Sequence, residues 1–178
     1  LVPIKALISE PLHIHKLVES KSEAEERVIK ALEDVNLIPP EDFMNKRSYE
    51  VSGGQAQRCS IARALILQPE FIVADEAVSM LDASIRVGIL NLLMDLRDKY
   101  GITFLLITHD LSVARYVCDY VAVMYLGNIM ERASAEELIH NPAHPYTKSL
   151  LSIIPRLNPQ AKHYNKAIRG EIADPINP

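Results

Sequence analysis

The run Phe71-Ile72-Val73-Ala74-Asp75-Glu76 ends four apolar residues in two adjacent carboxylates. Consecutive apolar residues suit a strand buried on both faces, and acids at its carboxyl end lie where ligands bind in open α/β sheets. One carboxylate there is able to help hold a magnesium ion while its neighbour polarises a water for attack. Alone, the pair reads equally well as a solvated strand end. A second run, Leu105-Leu106-Ile107-Thr108-His109-Asp110, puts a histidine at the end of another apolar segment. His109 follows Asp75 by 34 positions, the length of one strand-helix-strand crossover, so it is expected on the same sheet edge as the acids. An imidazole there would hydrogen-bond a phosphate oxygen or position the attacking water. The third group, Val51-Ser52-Gly53-Gly54-Gln55-Ala56-Gln57-Arg58, opens a helix-compatible stretch. Small residues at a helix start leave backbone N–H groups open to an anion, and Ser52 adds a hydroxyl. An ordinary helix cap has the same look.

Elements that position these groups follow from periodicity. The first fifty residues read as helical, with Ser22-Glu23-Ala24-Glu25 as a capping box. Val28, Ile29, Leu32, Val35 and Leu37 then recur at helical spacing until Pro39-Pro40. Glu23, Glu25 and Glu26 read as a solvated first turn favoured by the helix dipole rather than as metal ligands. Gln55 to Leu67 suits a helix stopped by Gln68-Pro69. Asp82 offers an N-cap for a helix to about Tyr100, closed by Gly101. Ile102 to Thr108 is expected as a second buried strand, and Asp110 as the cap of a short helix. Tyr120–Leu126, Gly127-Asn128 and Ile129–Arg132 read as a hairpin turning at Gly-Asn, and Ser134-x-x-Glu137 as another capping box. Strand, helix, strand, helix in succession predicts an α/β fold with a parallel sheet.

A composition of 48% hydrophobic and 24% charged residues in a 178-residue chain excludes disorder throughout. Nineteen Lys+Arg against 23 Asp+Glu leave a net charge of −4, with no basic block to suggest nucleic acid. Apolar runs such as Phe104–Ile107 are too short to span a bilayer, and no secretion signal is visible. Cys59 and Cys118 cannot make a disulfide framework or a four-ligand zinc site. The chain is expected to be soluble and intracellular. None of the six glycines opens a G-x-x-x-x-G-K-[ST] or G-x-G-x-x-G pattern. Any nucleotide chemistry here lacks its phosphate-cradling half.

In order along the chain stand Ser52-Gly53-Gly54-Gln55, Arg58, Ala62-Arg63-Ala64-Leu65, Asp75-Glu76, Ser79-x-Leu81-Asp82 and Thr108-His109-Asp110. This succession resembles the carboxyl-terminal two-thirds of the ATPase subunit of an ABC transporter. By that resemblance Val51–Gln55 matches the signature motif, Phe71–Glu76 the Walker B strand, Ser79–Asp82 the D-loop and His109 the switch histidine. Further on, Asn141-Pro142-x-His144-Pro145-Tyr146-Thr147-Lys148-x-Leu150-Leu151 and Gly170-Glu171-Ile172-x-Asp174-Pro175-Ile176-Asn177-Pro178 resemble the tail of the oligopeptide and dipeptide importer branch. Ala77 stands where the family usually has proline, and Met80 where a small residue is common. The Walker A loop, the adenine-stacking segment and the Q-loop are expected ahead of Leu1. The cysteine-rich tail of this branch is missing; Cys59 and Cys118 read as buried helix residues.

The resemblance implies a partial P-loop NTPase (ABC ATPase) fold, with a helical subdomain followed by a mostly parallel sheet flanked by helices. The fold would end in a C-terminal hairpin and helices, and its parts would be a helical subdomain over 1–60 ending in the signature motif, the Walker B, D-loop and switch part of the ATPase core over 61–133, and a C-terminal helical extension of the oligopeptide-importer type over 134–178. Two ATP molecules are held between two such subunits. Asp75 holds Mg2+ through water, Glu76 is the general base, and His109 contacts the γ-phosphate. Ser52, Gly53, Gly54 and Gln55 complete the ATP site of the facing subunit, with Asp82 in the D-loop beside it. The implied cofactors are ATP and Mg2+. The implied partners are a second ATPase subunit (identical or not), transmembrane permease subunits and, indirectly, an extracytoplasmic solute-binding protein, with no nucleic acid. The implied location is cytoplasmic, peripheral on the inner face of the cell membrane. Import of oligopeptides or dipeptides is the implied work, with nickel import or a non-catalytic docking and dimerisation module as alternatives.

Overall fold

A computed structural model describes residues 2–153. The Gly170–Pro178 motif therefore lies outside the described residues. The chain divides into two compact units, Leu1–Ile107 and Thr108–Pro178.

The first unit opens with α1 (Ile4–Ile14), which buries Ile4, Ile8 and Leu12, one turn apart on one face. Helix α2 (Lys21–Asp34) starts at Ser20, whose hydroxyl accepts from the Glu23 N–H. The cap thus falls two residues before the expected Ser22. Ser20-Lys21-Ser22-Glu23 has the same Ser-to-Glu spacing, so either serine satisfies the pattern. Ala24, Val28, Ala31 and Leu32 form the buried stripe of α2, which rests on α1 and α4. A short α3 (Glu41–Met44) and a 3-10 turn (Ser48–Glu50) lead to α4 (Gly53–Leu65). Arg58 of α4 donates to the Val35 carbonyl at 2.6 Å and so ties it to the end of α2.

Strand β1 (Phe71–Asp75) follows, then α5 (Ala83–Tyr100) and β2 (Thr103–Ile107). Gly101, at φ 68°, closes α5 in the left-handed conformation that glycine adopts without strain. Strands β1 and β2 pair in parallel, with Val73 opposite Leu105 and Asp75 opposite Ile107. The crossover expected from the sequence is present. The expectation that both strands are buried on both faces does not hold. Ile72, Ala74, Phe104 and Leu106 are buried or half-buried, while Phe71, Val73, Leu105 and Ile107 are 53%, 53%, 49% and 45% exposed. Within this unit the sheet has two strands and helices cover one of its faces only.

The second unit contains α6 (Leu111–Val117), β3 (Tyr120–Tyr125), β4 (Asn128–Ser134), α7 (Ala135–His140) and α8 (Pro145–Ile153). Strands β3 and β4 form the expected antiparallel hairpin, but its turn is Leu126-Gly127, one residue earlier than expected. Both turn residues have positive φ, 47° and 79°, as a two-residue turn matched to strand twist requires. Asn128 supports the turn by donating from its side chain to the Leu126 carbonyl at 3.2 Å. Ser134 caps α7 by accepting from the Glu137 N–H at 3.2 Å.

Candidate functional site

Ser52 is the N-cap of α4, and the cap is reciprocal. Its hydroxyl accepts from the Gln55 N–H at 3.3 Å, and the Gln55 side chain accepts from the Ser52 N–H at 2.9 Å. The Ala56 N–H is satisfied by the Ser52 carbonyl at 2.8 Å. Of the four N–H groups that a helix start leaves over, those of Gly53 and Gly54 have no backbone acceptor among the described residues. The glycines also allow close packing. A Cβ on Gly54 would stand 2.7 Å from Cγ2 of Ile85, and one on Gly53 would stand 3.9 Å from Cδ2 of Leu81. Start of α4 and start of α5 are therefore neighbours, and Asp82 sits between Leu81 and Ile85. Asp82 is the N-cap of α5 by position, but its carboxylate makes no capping hydrogen bond. That side chain is exposed and not committed to its own helix.

At the carboxyl end of β1, the Asp75 carboxylate is exposed and forms no hydrogen bond or ion pair among the described residues. The ladder continues one residue further, the Glu76 N–H donating to the Ile107 carbonyl at 3.0 Å. Glu76 then turns the chain at φ 49°, a left-handed conformation that costs a non-glycine residue about 1–3 kcal/mol. Ser79 holds the turn, its N–H and hydroxyl both donating to the Glu76 carbonyl, at 3.1 and 2.9 Å. The strained residue is the one to which the family resemblance gives the role of general base.

His109 lies in the second unit, two residues after the end of β2. The loop carrying it is stiffened by Asp110, whose N–H donates to the Thr108 hydroxyl at 3.1 Å. The Asp110 carboxylate in turn accepts from the Ser112 N–H at 2.8 Å, capping α6 as expected. The two cysteines are half-buried rather than buried, Cys59 within α4 and Cys118 at the end of α6. Burial pushes the Cys59 thiol up to about 11, and burial with the neighbouring Asp119 charge raises Cys118 as well. Both stay protonated and unreactive at neutral pH.

Sequence reasoning passed over Glu131 on β4. Its two carboxylate oxygens accept from the Ala143 and His144 N–H groups at 2.7 and 3.0 Å, fastening the start of α8 to the hairpin. Burial pushes the Glu131 carboxyl up, but the Thr147 hydroxyl and the Ala143 and His144 N–H groups outweigh it and hold it below the usual carboxylate value. Thr147 is fully buried without a partner of full hydrogen-bond geometry, so the two N–H donors are the stronger contacts. His144 Nδ1 accepts from the Tyr146 N–H at 3.1 Å, and the Tyr146 ring lies 4.8 Å from that of Tyr125. The His-Pro-Tyr-Thr block thus builds a joint between helix and hairpin. An acid three residues into a strand gave no periodic signal of this role.

Among the described residues no group of three or more His, Cys, Asp or Glu is placed to hold a metal ion. A lone exposed Asp75 fits magnesium, which is commonly held by one or two carboxylates, water and substrate phosphates. No helix among the described residues is long and apolar enough to cross a membrane.

Two family profiles match the chain: ABC transporter over residues 4–79, and oligopeptide/dipeptide transporter, C-terminal region, over residues 130–178. The chain thus carries an ABC transporter segment and an oligopeptide/dipeptide transporter C-terminal segment, and it is similar to ATP-binding proteins of peptide transporters. It is 45% identical over 175 residues to the dipeptide transport ATP-binding protein DppF of Haemophilus influenzae, covering 98% of this chain and 53% of that protein. It is 50% identical over 153 residues to the oligopeptide transport ATP-binding protein OppF of Bacillus subtilis, covering 86% of this chain and 50% of that one. Among solved structures, the dimeric bacterial ABC transporter cassette MJ0796 matches with a TM-score of 0.65 and 31% identity, over 76% of this chain and 57% of the cassette. The chain spans about half the length of the curated relatives it matches.

Proposed function

We propose that these residues are part of an ATP-hydrolysing subunit that energises import of oligopeptides or dipeptides. The observation that carries the reading is the end of β1, where Asp75 stands uncommitted and Glu76 is held in a strained turn by Ser79 and Ile107. Both relatives named above are peptide transport ATP-binding proteins, and the carboxyl-terminal match is to the peptide importer branch, which favours peptide over nickel.

Mg-ATP, when bound, supplies the phosphoanhydride to be cleaved and the cation that neutralises it. Asp75 would hold that cation through water. A Glu76 carboxylate oxygen would take the proton from the attacking water, and the His109 imidazole would contact the γ-phosphate. The Gly53 and Gly54 N–H groups and the Ser52 hydroxyl hydrogen would meet a phosphate held by a facing subunit, with Gln55 fixing the Ser52 backbone and Asp82 beside them. The remaining phosphate contacts need a G-x-x-x-x-G-K-[ST] loop that is not within these 178 residues. Segments 1–60, 61–133 and 134–178 would be helical subdomain, catalytic part and importer-type extension. Permease subunits and a second ATPase subunit are the partners, and the working location is the inner face of the cell membrane.

The test is Glu76→Gln in the full-length subunit, which keeps the shape of the side chain and removes the base. Phosphate release should fall about 10²–10⁴-fold while ATP binding survives. Hydrolysis near the parent rate sinks the assignment. A docking module without catalysis predicts no steady hydrolysis by the parent subunit either.

A further inference from the structure

In the Leu1–Ile107 unit a cavity of about 240 Å³ opens between α2, the turn after α4 and the junction of α5 with β2. Neither Ser52–Gln55 nor Asp75, Glu76 or Asp82 lines it. Its floor is made by Ala31, Leu65, Ile66 and Ile102, all buried. For scale, an apolar cavity of about 150 Å³ takes a benzene molecule. There is room here for a body of that size and a polar head.

The mouth is unevenly charged. Arg27, Lys30 and Asp34 stand on one face of α2 at spacings of three and four. Asp34 is already engaged on both oxygens, by Lys99 Nζ at 2.7 Å and the Tyr100 hydroxyl at 2.6 Å. Its charge is thereby offset, and it offers nothing to a cation. Arg27 shares Glu23 at 2.9 Å in an i,i+4 pair whose side chains are 36% and 40% exposed, a weak hold. Lys30 has no ion pair or hydrogen bond among the described residues. What is left over at the mouth is positive. The Tyr100 ring and Pro69 add flat apolar walls. Gln68, at φ 52°, brings a side-chain amide that makes no hydrogen bond among the described residues.

We propose that this cavity binds a small amphipathic anion, an aromatic carboxylate or phosphate monoester. The apolar body lies against Ala31, Ile102 and the Tyr100 ring, and the anionic head lies between Lys30 and the Gln68 amide. Apolar floor, cationic mouth and a few convergent polar groups are the makings of a ligand pocket. The site is separate from the residues assigned to ATP, so it stands or falls independently of that assignment.

The experiment is titration of the full-length protein that carries these residues with benzoate, phenyl phosphate, benzyl alcohol and acetate, read by amide NMR shifts. Saturable shifts at Lys30, Asp34, Gln68 and Gly101 are expected with benzoate or phenyl phosphate, and the tighter of the two names the head group. Benzyl alcohol, lacking the charge, should bind about tenfold more weakly, and acetate, lacking the body, should leave these amides unmoved. Lys30→Gln should weaken the anions about three- to fivefold and leave benzyl alcohol unchanged. Tyr100→Ser should weaken both. Saturating Mg-ATP should displace neither anion. Absence of saturable shifts, equal binding of benzyl alcohol or acetate, no effect of Lys30→Gln, or displacement by Mg-ATP would each overturn the proposal.

Discussion

Ser52 has two jobs to separate, since a residue that caps its own helix and one that meets a phosphate are both written Ser-Gly-Gly. The structure assigns the hydroxyl oxygen to the cap, accepting from the Gln55 N–H, which leaves the hydroxyl hydrogen to donate elsewhere. Aspartate caps a helix about as well as serine but donates nothing and adds a negative charge. Ser52→Asp in the full-length subunit should therefore leave stability within about 0.5 kcal/mol, as an exposed cap exchange does. It should abolish ATP-dependent pairing of subunits, measured by gel filtration with Glu76→Gln present to prevent turnover. If pairing survives in Ser52→Asp, Ser52 is a cap and nothing more. Asp75, Glu76, Ser52 and His109 are picked out as candidates in the sequence by position in their runs. The left-handed turn at Glu76 was not legible there, because no glycine or asparagine marks it. Pairing with Ile107 and the two Ser79 donors impose it from outside the residue.

Between elements, the close approach of α4 and α5 rests on Gly54. An added methyl group would meet Ile85 Cγ2, a branch fixed at Cβ that cannot swing away as a longer side chain would. Gly54→Ala gains about 0.5–1 kcal/mol of helix propensity and loses about 1–3 kcal/mol to overpacking. Net destabilisation of about 1 kcal/mol is expected in denaturant unfolding. Adding Ile85→Ala, at a site 37% exposed, should recover most of it. Failure of that rescue would show that the glycine is not there for the contact. At the other joint, Glu131 receives two N–H donors on two oxygens, and a glutamine has one acceptor oxygen to offer. Glu131→Gln should loosen α8 by about 1–2 kcal/mol at neutral pH, read as faster amide exchange in that helix. The carboxyl is held below its ordinary value of 4.5, so its contribution is present above that pH and lost as pH falls through the lowered value. The gap between parent and variant should close in acid. A gap that persists there would mean that the charge plays no part. Elements were readable where local chemistry decides them, as at Gly101 and Asp110. They slipped by one or two residues where two candidates compete, as with Ser20 against Ser22 and Leu126-Gly127 against Gly127-Asn128. The Glu131 joint was unreadable because its partners are 12 and 13 residues away with no periodic relation.

For the whole molecule, the parallel sheet poses the remaining question. Parallel strands are ordinarily covered on both faces, and the apolar runs 71–74 and 104–107 are written for that. Yet Phe71, Val73, Leu105 and Ile107 stand about half exposed on one face of β1 and β2. Their sequence anticipates a neighbour that this unit does not supply. The chain spans about half the length of its peptide transport relatives, so a longer protein has polypeptide with which to cover the face. The expected outcome is a difference between two contexts. In the 178-residue chain alone, Leu105→Glu replaces an exposed side chain and should change stability by no more than about 0.5 kcal/mol. In the full-length protein the same change would put a carboxylate beneath a second layer. The cost there should be about 3 kcal/mol or more, the range for an unpaired charge in a packed interior. Val73→Glu, opposite it in the register, should behave alike, whereas Lys99→Glu on the helix side should show no such contrast. Denaturant unfolding of both forms, each with and without the substitution, measures the difference directly. Equal and small costs in the two contexts would mean that the face stays open in the longer protein. In that case the apolar composition of the two strands would need another explanation.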